Sequence, residues 1–370
     1  MAKVERIEPT QLPNGLWLDG NEYASENVEE SSGVLSLVTG ETDGFRVGPE
    51  LDLSAISDAG RSKLEWTASG DVEVLAAVSE VSAQGSMSFD GEDDYVDVDN
   101  AESLLVGSDK LTMMAWVYLE SFDNFLPGII GNDIGPDSVT LMSRVDDTTK
   151  EIVVHITSRE QIRSNFLVSL NTWYRIVFTW NSDVGQKLYI NGSLDNSRST
   201  SVSELSSGGV LRIGDESNRG RFWDGLIGDV RLFTRDISST EVVNDYNGIQ
   251  IDNTSLVAHY PLDDPPGSTT ARDISGNNND GTIYGATYNP DNPLLQQATN
   301  GQAIPGVSSG DNLTGKKLYI QQRLSRDTTG DPSPTLTELK ATVEEAVGAL
   351  PLINGGLIRS AHTQNNTMIR

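Results

Sequence analysis

The chain has no cysteine, which excludes disulfide bonds, thiolate metal sites and cysteine nucleophiles. It has no run of eighteen apolar residues, the length a helix needs to cross a bilayer. Its opening, MAKVERIEPTQ, lacks the apolar core of a secretory signal. The expectation is no membrane insertion and no self-targeting to the general secretory route. Basic residues are scarce, with 26 Lys and Arg against 54 Asp and Glu, a net charge of -28. Such a surface repels nucleic acid, so none is expected as a partner. The same excess fits adaptation to molar salt, where a Debye length of about 3 Å removes the self-repulsion of the folded chain. An ordinary acidic bacterial protein is the plainer reading of that charge.

What the chain does contain is a succession of β-patterned blocks. Residues 86–98, SMSFDGEDDYVDV, alternate apolar and polar around an acidic turn and predict a hairpin. Residues 111–121, LTMMAWVYLES, form a continuous apolar run that suits a strand buried on both faces. In 173–196, two strands flank Asp183 to Gly185, and a second turn falls at Asn191 and Gly192. Residues 211–238 carry two further strands, and 239–246 read as a short helix capped by Ser238 or Thr240.

These blocks, in this order, resemble the laminin-G-like or concanavalin-A-like jelly roll. The matching residues are Phe89, Asp90, Gly91, Asp93, Asp94 and Tyr95 in an F-D-G-x-D-D-Y-V block. Gly225, Ile227, Asp229, Val230, Arg231 and Arg235 match a G-x-I-x-x-V-R-x-x-x-R block. The resemblance covers about half of the chain and implies two stacked antiparallel sheets, often used to bind sugars at one rim. Purely structural members exist, so fold alone does not decide function.

The flanks suggest a second, smaller sandwich. Leu64, Trp66, Thr67 and Ala68, then Leu313 to Lys316, Leu318, Arg323 to Ser325 and Pro334 to Leu336 resemble a β-sandwich of phage and haloarchaeal tailed-virus structural proteins. Neither flank has enough strands for a sheet of its own, so the jelly roll is expected as an insertion in a loop of this host domain. Residues 257–288 resemble the segment that normally precedes the F-D-G-x-D-D-Y-V block, yet here they follow it. Either they begin a truncated second repeat, or the insert is circularly permuted and they supply its missing edge strands. Permutation is preferred, because a lone fragment would leave an unpaired strand edge. The expected organisation is all-β, with an N-terminal arm at 1–40 and a discontinuous, virion-anchoring β-sandwich at 41–83 plus 300–347. The jelly roll occupies 84–290, and a poorly structured C-terminal arm 348–370.

Candidate sites follow from residue chemistry. Glu92, Asp93 and Asp94 in one turn, and Asp273, Asn277 and Asp280 in the loop DISGNNNDG, offer oxygen ligands of the kind Ca²⁺ requires. The resemblance also implies calcium near a sandwich rim. Asp93, Asp94, Asp273 and Asn277 are the predicted ligands, against the plainer reading that Asp and Asn build turns. Trp116, Trp173 and Trp180 sit in strand patterns and read as core. Trp223, beside Asn218, Arg219, Arg221 and Asp224 in a polar turn, is the candidate exposed platform for a sugar ring. Asn218, Arg221 and Asp224 are the expected polar contacts.

No E-x-D-x-x-E strand pattern of the related glucanases occurs. His155, His259 and His362 are scattered with no G-x-S-x-G beside them. No catalysis is expected, and a glycoside hydrolase is the least favoured reading. The predicted function is a virion surface protein of a haloarchaeal virus, assembled in the host cytoplasm as a capsid turret or decoration, tail fibre or baseplate. It would form a homo-oligomer with other virion proteins and adhere to host surface glycans or glycoprotein. The alternative is a purely architectural virion or cell-surface protein that binds no glycan.

Overall fold

A computed structural model of the chain describes residues 22–345 apart from 32–33, 99–104, 123–125, 132–139, 144–148, 158–159, 201, 204, 206–210 and 216–219. Among the described residues the protein is all-β apart from one short helix, with four antiparallel sheets that stack as two sandwiches.

The larger sandwich is a jelly roll. One of its sheets runs in the order Ser193–Arg198, Gly185–Ile190, Trp173–Asn181, Lys110–Leu119, Asp224–Phe233, Ser86–Asp90 and Thr287–Asn289, with Leu256–Tyr260 also on Asp224–Phe233. The facing sheet runs Glu160–Leu167, Glu151–Thr157, Thr140–Ser143, Gly128–Gly131, Leu211–Ile213, Tyr95–Val98, Gly281–Tyr284 and Thr270–Ala271. Inward residues of both sheets, among them Phe89, Val96, Met113, Phe178, Trp180, Ile213 and Ile227, make one core. Burying each such side chain contributes about 1.5–3 kcal/mol. The strand Lys110–Leu119 is buried along almost its whole length, as its unbroken apolar run requires. Its second face lies under the helix Ser239–Tyr246, through a cluster that includes Met114, Val177, Phe233 and Val242.

That helix starts at Ser238, whose hydroxyl accepts from the Glu241 N–H while the Glu241 carboxylate accepts from the Ser238 N–H. This reciprocal capping box explains why a segment of only eight residues is helical here.

One expectation about connections is corrected. Residues 86–98 are not a hairpin. Ser86–Asp90 pairs with Asp224–Phe233 in one sheet, whereas Tyr95–Val98 pairs with Leu211–Ile213 in the other. The acidic turn is therefore a corner at the sandwich rim, crossing from sheet to sheet. The segment at 257–288 supplies strands to both jelly-roll sheets: Leu256–Tyr260 and Thr287–Asn289 to one, Thr270–Ala271 and Gly281–Tyr284 to the other.

The smaller sandwich is made from both ends of the described chain. One sheet runs Ala24–Glu26, Asp43–Val47, Lys317–Ser325, Asp71–Ser79 and Gln296–Gln297, with Leu51–Asp52 on Lys317–Ser325. The other runs Val28–Ser31, Val34–Leu37, Thr335–Glu345 and Ala59–Ser69. The expected N-terminal arm is thus partly wrong, because Ala24–Glu26, Val28–Ser31 and Val34–Leu37 are strands of this sandwich. Leu35 and Leu37 point into its core beside Leu64, Val74, Leu318 and Leu336, and that alternation holds the segment in place. Residues 1–21 and the expected C-terminal arm at 348–370 lie outside the described residues.

The two sandwiches meet through a mixed polar and apolar contact. The Tyr23 hydroxyl donates to the Asp263 carbonyl at 2.7 Å, and Arg272 binds Asp264 at 2.6 Å and the Tyr23 hydroxyl at 3.0 Å. The Ser82 hydroxyl donates to the Asp263 carboxylate, and Arg323 pairs with Asp291. Ala77, Ala83 and Tyr319 close the apolar part with Leu294 and Leu295, and Phe45 packs on Tyr288 at 6.1 Å.

Candidate functional site

The rim corner gathers three carboxylates. Oxygens of Asp90, Asp93 and Asp94 lie within 4.8 Å of one another. One Asp90 oxygen accepts the N–H groups of Glu92 (2.8 Å) and Asp93 (3.3 Å), an Asx turn that folds the corner. The buried Asp94 accepts the Asp90 N–H at 3.0 Å. Burial pushes the Asp94 carboxyl above its ordinary range, and the Asp90 and Asp93 charges add to it, partly offset by that N–H. A carboxylate pressed by like charges is suited to a hard cation. Gly285 is part of the same construction, since at its φ of 75° a Cβ would stand 1.7 Å from Asp94 Oδ1.

Asp273 and Asn277 are not at this corner. The strand Gly281–Tyr284 runs antiparallel to Tyr95–Val98, with Tyr284 opposite Tyr95 and Gly281 opposite Val98. The loop before Gly281 and the Asp94 corner therefore sit at opposite ends of the pair, roughly 13 Å apart at about 3.3 Å per residue. Asp273 is also already occupied. It accepts the N–H groups of His259, Ser275 and Asn279 at 2.9 Å each and the Ser275 hydroxyl at 2.8 Å. Burial opposes its ionisation, but these donors outweigh it and hold its carboxyl below the usual range. The Asn277 amide donates to the carbonyls of Leu256 and Val257. This loop is a hydrogen-bonded turn, and the four predicted ligands do not form one site. The donor set fits a cation at Asp90, Asp93 and Asp94, and does not fit one at Asp273 and Asn277.

Trp223 is corrected as well. It is 1% exposed, belongs to the sandwich core and gives its backbone N–H to the Gly214 carbonyl at 2.8 Å. The polar residues around it suggested a surface turn, but the chain there dives between the sheets. Buried Asp215 pins this dive, accepting the Arg221 N–H at 3.1 Å and Arg212 at 2.9 Å. Asp224 begins the strand Asp224–Phe233 opposite Asp90. Asn218 lies outside the described residues. Trp116 and Trp180 are buried as expected, and Trp173 is half-buried against Tyr118 at 5.5 Å.

The exposed aromatic face lies elsewhere. On the outer side of the Tyr95–Val98 and Gly281–Tyr284 pair, Tyr284 is 45% exposed and stacks on Tyr95, with ring centroids 4.7 Å apart and planes 22° from parallel. The Arg212 guanidinium lies over the Tyr95 ring at 4.0 Å and is fixed by Asp97 at 3.1 Å and Asp215 at 2.9 Å. Phe222 flanks Tyr95 at 6.5 Å. The signal for this face was the alternation itself: Ile283 packs on the core while Tyr284 and Thr282 face outward.

Residues 90–243 match the family model Laminin_G_3, described as the concanavalin A-like lectin/glucanases superfamily. The match falls within the larger sandwich, which is similar to laminin-G-like jelly rolls. No curated protein matches the chain. Among solved structures, it is similar to a candidate carbohydrate binding protein from Bacteroides ovatus at 14% identity, covering 73% of this chain and 93% of that one, with a TM-score of 0.46. It is similar to a heptameric SAP-like pentraxin from Limulus polyphemus at 14% identity, covering 58% and 99%, with a TM-score of 0.42. It is also similar to domains LG4-5 of the mouse laminin alpha1 chain at 13% identity, covering 43% and 45%, with a TM-score of 0.32.

The two motifs of the laminin-G-like domain do different work. Phe89 and Val96 fill the core, and Asp90 to Asp94 turn the corner between them. Gly225 has φ 134° and passes so close to the Tyr118 carbonyl that a Cβ would stand 2.2 Å away. Asp229, at φ 45°, sits in a bulge between Gly228, opposite Trp116, and Arg231, opposite Met114. The bulge aims its carboxylate at Arg231 (2.8 Å) and Arg175 (3.0 Å), and His259 Nε2 lies 2.7 Å from it while also standing 3.2 Å from the Arg231 Nε. Asp245 from the helix completes the network, 2.6 Å from Arg175 and 3.3 Å from Arg231. Burial works against the Asp229 charge, but the two arginines and His259 outweigh it and hold its carboxyl well below the ordinary range. Two cations and two anions balance here, so the network ties the helix to the sheet. Sequence reasoning missed it, although the spacing of Asp229 and Arg231 places both on one strand face.

Proposed function

We propose that this is a virion surface protein of a haloarchaeal virus, whose laminin-G-like domain binds glycans of the host envelope without catalysis. The observation that carries the reading is a lectin-type jelly roll, complete in its own two sheets, mounted by polar and apolar contacts on a second sandwich. That arrangement suits a binding domain held away from an anchored base. The smaller sandwich is assigned to contacts with other virion proteins, and its likeness in short motifs to tailed-virus structural proteins supports this role. The excess of acidic residues suits a protein exposed to molar salt. Single sugar sites bind weakly, so copies in a homo-oligomer would act through avidity.

Calcium belongs to the same proposal. Asp90, Asp93 and Asp94 would hold it, and it would supply positive charge that fixes the corner and relieves the repulsion among the three carboxylates.

The test is binding of the native protein to host envelope glycoprotein in molar NaCl, before and after deglycosylation. Loss of binding on deglycosylation is the expected result. Undiminished binding to the deglycosylated form, or no binding by the folded native oligomer, would move the purely architectural reading to first place. The burial of Trp223 in the core is what favours that second reading.

A further inference from the structure

We propose that Tyr284 is the stacking platform for a neutral pyranose ring, and that Tyr95 and Arg212 act beneath it as positioning residues. This rests on the glycan-binding reading above and adds to it the site and the class of sugar.

The geometry is that of a preorganised stack. Arg212 is clamped by two carboxylates, Asp97 and Asp215, Tyr95 lies on its guanidinium, and Tyr284 lies on Tyr95 as the outermost tier. A cross-strand tyrosine pair in a sheet contributes to folding, and that accounts for Tyr95, which is half-buried between its two neighbours. It leaves Tyr284 unexplained, a large ring 45% exposed on a strand. Among the described residues, no further ring or cation is placed against Tyr284. A ring already held in place loses little conformational freedom on binding, which is the condition for useful affinity from one aromatic contact. The apolar C–H face of a pyranose matches such a surface. Thr282 and Asp97, the next outward residues on the same two strands, stand where ring hydroxyls would need polar partners.

Charge selects the class of sugar. The one cation in the stack is neutralised by Asp97 and Asp215. Asp90, Glu92 and Asp93 lie at the adjoining corner, and the whole chain carries a net charge of -28. A uronic, sialylated or sulfated ring would meet repulsion with no free cation in the stack to offset it. A neutral hexopyranose meets none.

The experiment is equilibrium binding of the full chain in molar NaCl to a panel of neutral hexopyranosides and of uronic, sialylated and sulfated glycans. It uses the wild type, Tyr284→Ala and Tyr284→Phe. The wild type is expected to prefer neutral glycans, Tyr284→Ala to weaken that binding at least tenfold, and Tyr284→Phe to stay within about twofold because the ring remains. Neutral-glycan binding that Tyr284→Ala leaves unchanged would overturn this site while the glycan-binding reading stands. Binding of anionic glycans alone would overturn the sugar class. No glycan binding by the folded wild type would overturn both. Tyr284→Ala also loses the stacking on Tyr95, so an unfolding midpoint that falls only slightly and stays well above the assay temperature is the check that lost binding is not lost folding.

Discussion

Replacing Trp223 by Ala separates a core indole from a ligand-binding one. The side chain is 1% exposed and packed in the jelly-roll core, so its removal leaves a cavity that the surrounding strands refill only in part. Such a truncation costs about 3–5 kcal/mol. For a folding unit of this size, each kcal/mol lowers the unfolding temperature by about 2–4 °C, so the midpoint should fall by roughly 6–20 °C. Among the described residues the indole Nε1 has no hydrogen-bond partner, so Trp223→Phe loses volume but no such bond and should cost less than half as much. The assay is thermal unfolding followed by near-ultraviolet circular dichroism in molar NaCl, paired with glycan affinity measured well below the midpoint. The account requires a large fall in midpoint with unchanged affinity. An unchanged midpoint with lost affinity would refute it and return Trp223 to the binding surface.

Four further outcomes are expected. Asp245→Ala leaves Arg175 and Arg231 buried with one anion fewer, a loss of about 3–5 kcal/mol in denaturant unfolding; a change under 1 kcal/mol would mean the network does not hold the helix. Burial, with Arg231 nearby, keeps the His259 pKa below 6.5, so between that lower value and 6.5 the unfolded chain binds the extra proton. Stability from this residue is therefore complete above pH about 6.5 and declines as pH falls below it; His259→Gln should flatten that slope in unfolding curves, and an unaltered slope would contradict the assignment. The unfolding temperature should rise from low salt to several molar NaCl, and equal stability in both would remove the case for halophilic adaptation. Calorimetric titration of chelator-treated protein should show calcium uptake that Asp94→Asn and Gly285→Ala both abolish, the second because its Cβ would collide with Asp94 Oδ1; no uptake by the wild type would retire the metal.

Much of the fold was legible because local patterns agreed with the tertiary structure. The run of Leu111 to Leu119 behaves as a strand covered on both faces, Asn191 and Gly192 turn one hairpin, and Ser238 with Glu241 starts the helix. What was not legible depended on long-range pairing. Alternation on either side of Asp90 to Asp94 reads the same whether the chain returns along one sheet or crosses to the other. Only the partners, Asp224–Phe233 and Leu211–Ile213, distinguish the two. The strands Ala24–Glu26, Val28–Ser31 and Val34–Leu37 were not legible because each is only 3 or 4 residues long, too short for a period to show. At the candidate site, residue type misled in two places. Trp223 is buried although its neighbours Arg221 and Asp224 stay half-buried, and Asp273 spends its oxygens on its own loop. Tyr284 escaped notice because its platform needs Tyr95 and Arg212 from distant parts of the chain.

The most direct test of the central claim, that the laminin-G-like domain binds glycan on this outer face, is a titration of the intact protein carrying ¹³C-labelled tyrosine rings with a neutral hexopyranoside in molar NaCl. The chain has ten tyrosines. The account predicts that the ring signals of Tyr284 and Tyr95 move with saturating dependence on sugar, while those of buried Tyr260 and Tyr319 stay fixed. Saturable sugar binding that leaves Tyr284 and Tyr95 unmoved, or that moves Tyr23 and Tyr288 at the contact between the sandwiches instead, would contradict it.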